Sequence, residues 1–321
     1  MEEIYSEITK KYKRILLTGG AGFIGSCLVR RLLKNTSSKI FNLDFLGYSS
    51  DLSSIQNLTQ SKNKNRYFHL KNDLRNFEEI QQIMREVDPD IIIHLAAESH
   101  VDRSINNPSD FIESNIIGTY NLLEAARKHF ENISLERKEV FIFQHISTDE
   151  VYGTLGDSGK FSENTPYDPR SPYSASKASS DHLVNAWFHT YNLPILITNC
   201  SNNYGPYQFP EKLIPLMVTK ALKGEKLPIY GDGKNIRDWI FVEDHIDGLL
   251  FVMNKGKIGN KYCLGGNNER TNIDLVKMIC NYLGSVSSGR LRSMVIVSGF
   301  ILPKGKTFPV GSRGRSTAIL P

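Results

Sequence analysis

From Arg14 to Thr198 the chain alternates two rhythms, short apolar runs of strand length and longer stretches with helical spacing. Residues 14–17 form an apolar run that ends in Thr18-Gly19-Gly20. Phe23, Ile24, Cys27, Leu28 and Leu32 then recur at helical spacing over residues 23–33. Residues 39–43 are a second apolar run, closed by Asp44. Residues 77–87 read as a helix with Asn76 as its N-cap. Residues 91–95 are continuous and β-branched, the pattern of a strand buried on both faces. A long amphipathic helix is predicted over 111–130, a buried strand over 140–146, a helix over 173–191 and a strand from Pro194 to Thr198. Strand–helix alternation of this kind predicts βαβ units, hence an α/β fold with a doubly wound, Rossmann-like parallel sheet.

After Asn199 the rhythm breaks. Gly205, Pro206, Pro210, Pro215, Gly224, Pro228, Gly231 and Gly233 crowd into shorter, less regular segments. They predict a smaller substrate-binding domain over 199–284, following a dinucleotide-binding domain over 13–198 to which 236–263 could return. Beyond Gly284 the character changes again. Residues 285–321 carry Arg290, Arg292, Lys304, Lys306, Arg313 and Arg315 and no acid, so they form a divergent basic tail that is open to disorder.

The formal charge of +5 therefore belongs to the tail. The body has 33 basic and 34 acidic side chains, which argues against a nucleic-acid partner. No apolar run approaches the roughly 20 residues of a membrane helix, and the charged first 14 residues do not read as a signal peptide. Cys27, Cys200, Cys263 and Cys280 are scattered without C-x-x-C spacing, which fits a reducing cytoplasm and no metal site. His94, His100 and His245 also lack metal-like spacing and are read as structural.

Candidate chemistry begins at Gly19, Gly20, Gly22 and Gly25, where two glycine patterns overlap between the first strand and the first helix. Glycines there allow a tight turn and let backbone approach a pyrophosphate at the helix N-terminus. Asp44 lies 19 residues beyond Gly25 at a strand end, placed to accept from an adenosine ribose. A carboxylate there repels a 2′-phosphate, which favours NAD over NADP. Asp73 could meet the adenine edge or be an exposed turn residue. Tyr173 and Lys177 stand at i, i+4 on one helix face. The ammonium, with a nicotinamide cation, is expected to lower the tyrosine towards use as a general base. Thr148, Asp149 and Glu150 follow a buried strand, where this fold places its active sites. Adjacent carboxylates suit one acid and one base.

These residues resemble the extended short-chain dehydrogenase/reductases, the NAD-dependent epimerase/dehydratase family, and within it the dTDP-glucose 4,6-dehydratases. The resemblance runs from Lys13 to Leu283. Its most specific segments are residues 18–26, 95–104 (LAAESHVDRS), 147–153 (STDEVYG), 173–180, 201–205 (SNNYG) and 230–245. The Asp149-Glu150 pair is what separates the dehydratases from relatives with only Thr/Ser, Tyr and Lys. The resemblance implies that NAD is met by Gly19, Gly22, Phe23, Ile24, Gly25, Asp44, Phe45, Leu46, Gly47, Asp73, Leu74, Leu95, Ala96, Ala97, Glu98, Ser99, Ser114, Tyr173, Lys177 and Asn203. It implies that the sugar nucleotide is met by Ser99, Thr148, Asn202, Lys212, Leu213, Pro228, Ile229, Tyr230, Arg237 and Asn272. Lys212 and Arg237 suit a diphosphate.

The implied reaction converts dTDP-glucose to its 4-keto-6-deoxy product with NAD retained. Two alternatives stand beside it: another sugar-nucleotide dehydratase or UDP-hexose 4-epimerase, and an NAD-binding remnant. The resemblance also implies a homodimer through the 111–130 and 176–191 helices, with Ile112, Ile116, Leu123, Leu183 and Trp187 as apolar positions. The match stops at the tail, where relatives carry an Arg-Pro-Gly-His-Asp-Arg-Arg-like stretch, a Leu-Gly-Trp segment and a closing helix. The tail's composition favours a truncation or frame change over native divergence, with substrate binding expected to suffer more than NAD binding.

Overall fold

The computed structural model describes residues 1–60, 63–155, 159–287, 294–297 and 300–303. Strands are β1 (Arg14–Thr18), β2 (Lys39–Leu43), β3 (Tyr67–Leu70), β4 (Ile91–His94), β5 (Ile142–Thr148), β6 (Ile195–Cys200), β7 (Asn202–Tyr204), β8 (Ile236–Phe241), β9 (Lys261–Leu264), β10 (Glu269–Thr271), β11 (Met294–Val297) and β12 (Phe300–Pro303). The chain divides into two compact units. One holds Met1–Cys200 with Ile246–Leu264, and the other holds Ser201–His245 with the described residues from Gly265 on.

The first unit is built on a seven-stranded sheet in the order β3-β2-β1-β4-β5-β6-β9, parallel throughout. This is the Rossmann-like arrangement, with the reversal of strand order between β1 and β4. Ile91, Ile92 and Ile93 in β4 are almost fully buried because helices cover both sheet faces. Leu16, Ile92, Phe143, Ile195 and Ile197 from the sheet share a core with Ile80, Met84, Leu122 and Leu123 from helices. The Phe77–Val87 helix starts where Asn76 accepts from the Glu79 amide and ends at Asp88 in a left-handed conformation.

The predicted 111–130 helix is interrupted. Pro108–Phe111 is α-helical, Ile112–Ile117 forms a π-helical turn, and Gly118–Asn132 resumes the α-helix. Such turns reset the helical face without ending the element. The buried strand also lies two residues later than its hydrophobic run, so Ser147 and Thr148 close β5. An additional helix, Glu2–Lys11, buries Ile4, Tyr5 and Ile8.

The second unit has a three-stranded sheet, β10-β8-β7, antiparallel on one side of β8 and parallel on the other. Ile214, Met217 and Val218 of the Leu213–Leu222 helix share its core with Trp239, Leu275, Val276 and Ile279. β11 and β12 pair antiparallel. The rest of the tail, and with it the expectation of disorder, lies outside the described residues.

Candidate active site

At the end of β1, Gly19 turns with φ +75°, and a Cβ on it would sit 2.6 Å from the Ala96 amide nitrogen. A Cβ on Gly25 would overlap the Gly19 carbonyl oxygen. Both glycines are therefore required by backbone proximity. Gly22 is the N-cap of the Phe23–Asn35 helix, and no side chain caps that end. Its first amides and the positive end of the helix dipole remain available to a phosphate.

Asp44 at the end of β2 is 6% exposed. Its Oδ2 accepts from the Ala21 amide at 2.9 Å, and its Oδ1 accepts from the Leu46 amide and the Ser50 hydroxyl at 2.9 and 3.1 Å. A carboxylate has about four acceptor sites, so Asp44 ties the glycine loop to the 45–50 loop and keeps capacity for a ribose hydroxyl. Phe45 is 42% exposed there. Asp73 is paired with its neighbour Arg75. Its carboxylate is engaged by the Arg75 guanidinium and backbone amide. Burial works to raise its pKa, and the Arg75 hydrogen bonds hold it below the usual value nonetheless. Leu74 packs in the core, and its carbonyl accepts from Asn121.

The 95–99 loop leaves β4 across the glycine turn. The Ala96 amide donates to Thr18 Oγ1 at 3.2 Å. Buried His94 bridges Thr18 Oγ1 at 2.8 Å and Thr119 Oγ1 at 2.9 Å, and burial pushes its pKa well down, so it is neutral. Asn115 anchors the far end of the loop. Its Oδ1 accepts from the Glu98 amide at 2.8 Å, and its Nδ2 donates to the Glu98 carbonyl and to Ser176 Oγ, both at 2.9 Å. Ser180 donates to the Asn115 carbonyl. Sequence reasoning named Ser114 and missed Asn115, because the π-helical turn decides which neighbour faces inward.

Tyr173 and Lys177 lie in the first two turns of the Pro172–Tyr191 helix. The helix starts there because Ser171 and Ser174 form a reciprocal capping box and Pro172 occupies the first turn. Thr148, at the end of β5, acts to lower the Tyr173 phenol, and its hydroxyl donates to Asp149 Oδ1 at 3.3 Å. Thr148 Oγ1 also accepts from the Glu150 amide at 3.2 Å and so caps the Asp149–Tyr152 turn that presents both carboxylates. The turn and the helix start are thereby brought together across more than twenty residues of sequence.

In the chain alone, without the nicotinamide cation, Tyr173 is raised. Burial pushes the phenol well above its ordinary value, and the Glu150 carboxylate adds to the rise, against the Thr148 hydrogen bond. Lys177 Nζ donates to the Ile146 carbonyl at 2.9 Å. Its own pKa is lowered, chiefly by burial, while Asp181 acts to raise it.

A profile of the GDP-mannose 4,6 dehydratase family matches residues 16–295. The dTDP-glucose 4,6-dehydratase of Neisseria meningitidis serogroup B is 54% identical over 272 residues, covering 84% of this chain and 76% of the relative. The Escherichia coli dTDP-glucose 4,6-dehydratase is 54% identical over 279 residues, with the same coverage. The chain belongs to the dTDP-glucose 4,6-dehydratase family. The crystal structure of the Bacillus anthracis dTDP-glucose 4,6-dehydratase in complex with NAD superposes with a TM-score of 0.75 at 46% identity, covering 84% of this chain and 81% of that one. A Thermotoga maritima UDP-glucose 4-epimerase with UDP-glucose reaches 0.74, but at 27% identity.

The residues expected from the sequence to meet the sugar nucleotide in the second unit are spread over several elements. Asn202 and Asn203 lie in β7, and Asn203 Oδ1 pairs with buried His245 Nδ1 at 2.8 Å. Lys212 is the N-cap of the Leu213–Leu222 helix, and Leu213 and Ile229 border the core. Pro228 and Arg237 are exposed, Tyr230 is 72% exposed, and Asn272 opens the Asn272–Ser287 helix. In the first unit, Ser99 and Ala97 are exposed on the loop after β4.

Proposed function

We propose that this chain dehydrates dTDP-glucose to dTDP-4-keto-6-deoxyglucose, with NAD as a retained cofactor. The observation that carries the reading is the Thr148-Asp149-Glu150 turn held against Tyr173 and Lys177 in a chain of this family. The glycine turn, in which a Cβ on Gly19 or Gly25 would strike backbone, fits a dinucleotide. When bound, NAD supplies the hydride acceptor for C4 and the donor that returns hydride to C6. Tyr173 takes the proton of the sugar 4-hydroxyl, hydrogen-bonded through Thr148. This chain alone holds Tyr173 protonated, so the base must draw on positive charge brought by oxidised nicotinamide and on the Lys177 ammonium. Glu150 removes the C5 proton once C4 is a ketone, and Asp149 protonates the C6 hydroxyl as it leaves as water. One acid and one base are required for that elimination, and an epimerase needs neither.

Lys212 and Arg237 bind the diphosphate and Tyr230 borders the base in this reading. The two units then correspond to a cofactor domain and a substrate domain. A homodimer is supported by apolar side chains left on the helical surface: Ile112, Ile117, Tyr120 and Tyr191 are each more than a third exposed. Leu123, expected among them, is instead in the core, and Leu183 and Trp187 are partly buried against that core. A monomer in light scattering at micromolar concentration would refute this assembly. A cytoplasmic setting is supported by four free cysteines, and no described helix is long and apolar enough to cross a membrane.

The deciding experiment incubates the protein with dTDP-glucose, UDP-glucose and GDP-mannose in parallel. The alkaline absorbance of a 4-keto sugar should develop with dTDP-glucose. Interconversion of UDP-hexoses without that absorbance favours the epimerase, and no reaction with NAD still bound favours a remnant.

A further inference from the structure

Behind Lys177 lies a fully buried carboxylate that the reaction as described does not use. Asp181 follows Lys177 by one helical turn and has no exposed surface. Its Oδ1 accepts from His145 Nε2 at 3.1 Å, and its Oδ2 accepts from the Tyr167 hydroxyl at 2.8 Å and from Asn199 Nδ2 at 3.1 Å. The same Asn199 amide donates to the Thr148 carbonyl at 3.1 Å. An isolated buried carboxylate is costly, and such groups persist when paired and fully hydrogen-bonded.

We propose that Asp181 is a positioning residue of the reaction, the buried counter-ion of Lys177 and, through Asn199, the anchor of the Thr148 carbonyl. The proposal rests on the roles given above to Lys177 and Thr148. Lys177 is 4% exposed, and the acceptor of its hydrogen bond, the Ile146 carbonyl, carries no net charge. The groups around it are Tyr173 and Asp181 on its own helix, His94 on β4, His145 on β5 and Cys200 on β6. Burial keeps both histidines neutral, His145 at about 4. Asp181 is the carboxylate among these groups, and its charge favours the ammonium that Tyr173 needs. The three donors around Asp181 keep it from titrating in place of the lysine: burial acts to raise its pKa, and the His145 hydrogen bond and the Lys177 charge hold it below the usual value.

The test is Asp181→Asn in the full chain, read by turnover of dTDP-glucose across pH. Without the counter-charge Lys177 loses its proton more readily. The alkaline limb of kcat should therefore move down by about one pH unit, the low end of what an opposite charge contributes, because the Asp181 oxygens are turned to His145, Tyr167 and Asn199. KM should change little, and a merely structural defect would lower the profile without moving its limb. An unmoved limb overturns the proposal. The second measurement is thermal unfolding of Asp181→Asn against the double variant Asp181→Asn/Lys177→Met. A charge pair requires the double variant to melt higher, because it no longer buries an unmatched ammonium. A double variant that melts no higher overturns the proposal, and this holds even when the single variant folds poorly. The melting comparison needs no turnover, so failure of the dehydratase reading and failure of this proposal are separable.

Discussion

Gly19→Ala should be far more damaging than Gly224→Ala, although both glycines have similar backbone angles, φ +75° and +67°. Left-handed backbone costs a non-glycine residue about 1–2 kcal/mol, offset by about 0.4–1 kcal/mol from the stiffer unfolded chain. A Cβ on Gly224 would meet nothing within 4 Å, so its alanine variant should lose no more than about 1.6 kcal/mol. At Gly19 the added carbon would stand 2.6 Å from the Ala96 nitrogen and 2.7 Å from its Cα. Both atoms are backbone and cannot rotate away, which adds an overpacking cost of about 1–3 kcal/mol. The gap should appear as a lower melting temperature for Gly19→Ala. It should also appear as loss of NAD from the purified protein, since the atoms that must yield belong to the 95–99 loop and the phosphate turn. Equal melting temperatures and equal NAD content in the two variants would refute the reasoning from close approach.

Glu150→Gln should cut turnover by about 10²- to 10⁴-fold by removing the C5 base, while dTDP-glucose still produces an NADH signal at 340 nm. Because Glu150 helps to push the Tyr173 phenol up, that signal should also persist to lower pH than in the parent; Tyr173→Phe should abolish it. Normal turnover of Glu150→Gln would remove the basis of the dehydratase reading. Stability should fall in mild acid because His145 and His245 are buried neutral, with pKa values lowered to about 4 and about 3. A depressed histidine contributes stability that is present above its unfolded pKa of about 6.5 and is lost as pH falls below it. Between pH 7.5 and 5.5 each should cost about 1.4 kcal/mol, visible as a drop in melting temperature that His245→Asn reduces.

Local pattern was sufficient for much of this protein. The runs at 14–17, 39–43 and 91–95 announce strands because β-branched and apolar residues buried on both faces leave no polar alternation. Gly19, Gly22 and Gly25 announce a phosphate turn because side chains are excluded wherever backbone must meet backbone. Tyr173 and Lys177 share a helix face by spacing alone, and Asn76 is a helix cap whose chemistry acts within four residues.

What the chain order could not disclose depends on burial and on which distant elements abut. Spacing puts Lys177 near Tyr173 but does not disclose the burial and the Glu150 charge that push the phenol up in the chain alone, because desolvation is a property of the packed site. Asn115 holds the 95–99 loop only because a π-helical turn rotates it inward. Leu123 has the spacing of an exposed apolar residue and lies in the core, because the Phe77–Val87 helix packs beside its own. Asp181, four residues beyond Lys177, reads as an ordinary polar helix position. Its meaning comes from β5 and β6, which bring His145 and Asn199 to it in a place water does not reach. Residue type and spacing set which local structures form and which chemistry is on offer, since those depend on neighbours along the chain. Protonation state and the identity of each group's partner depend on the low-dielectric surroundings that only folding creates.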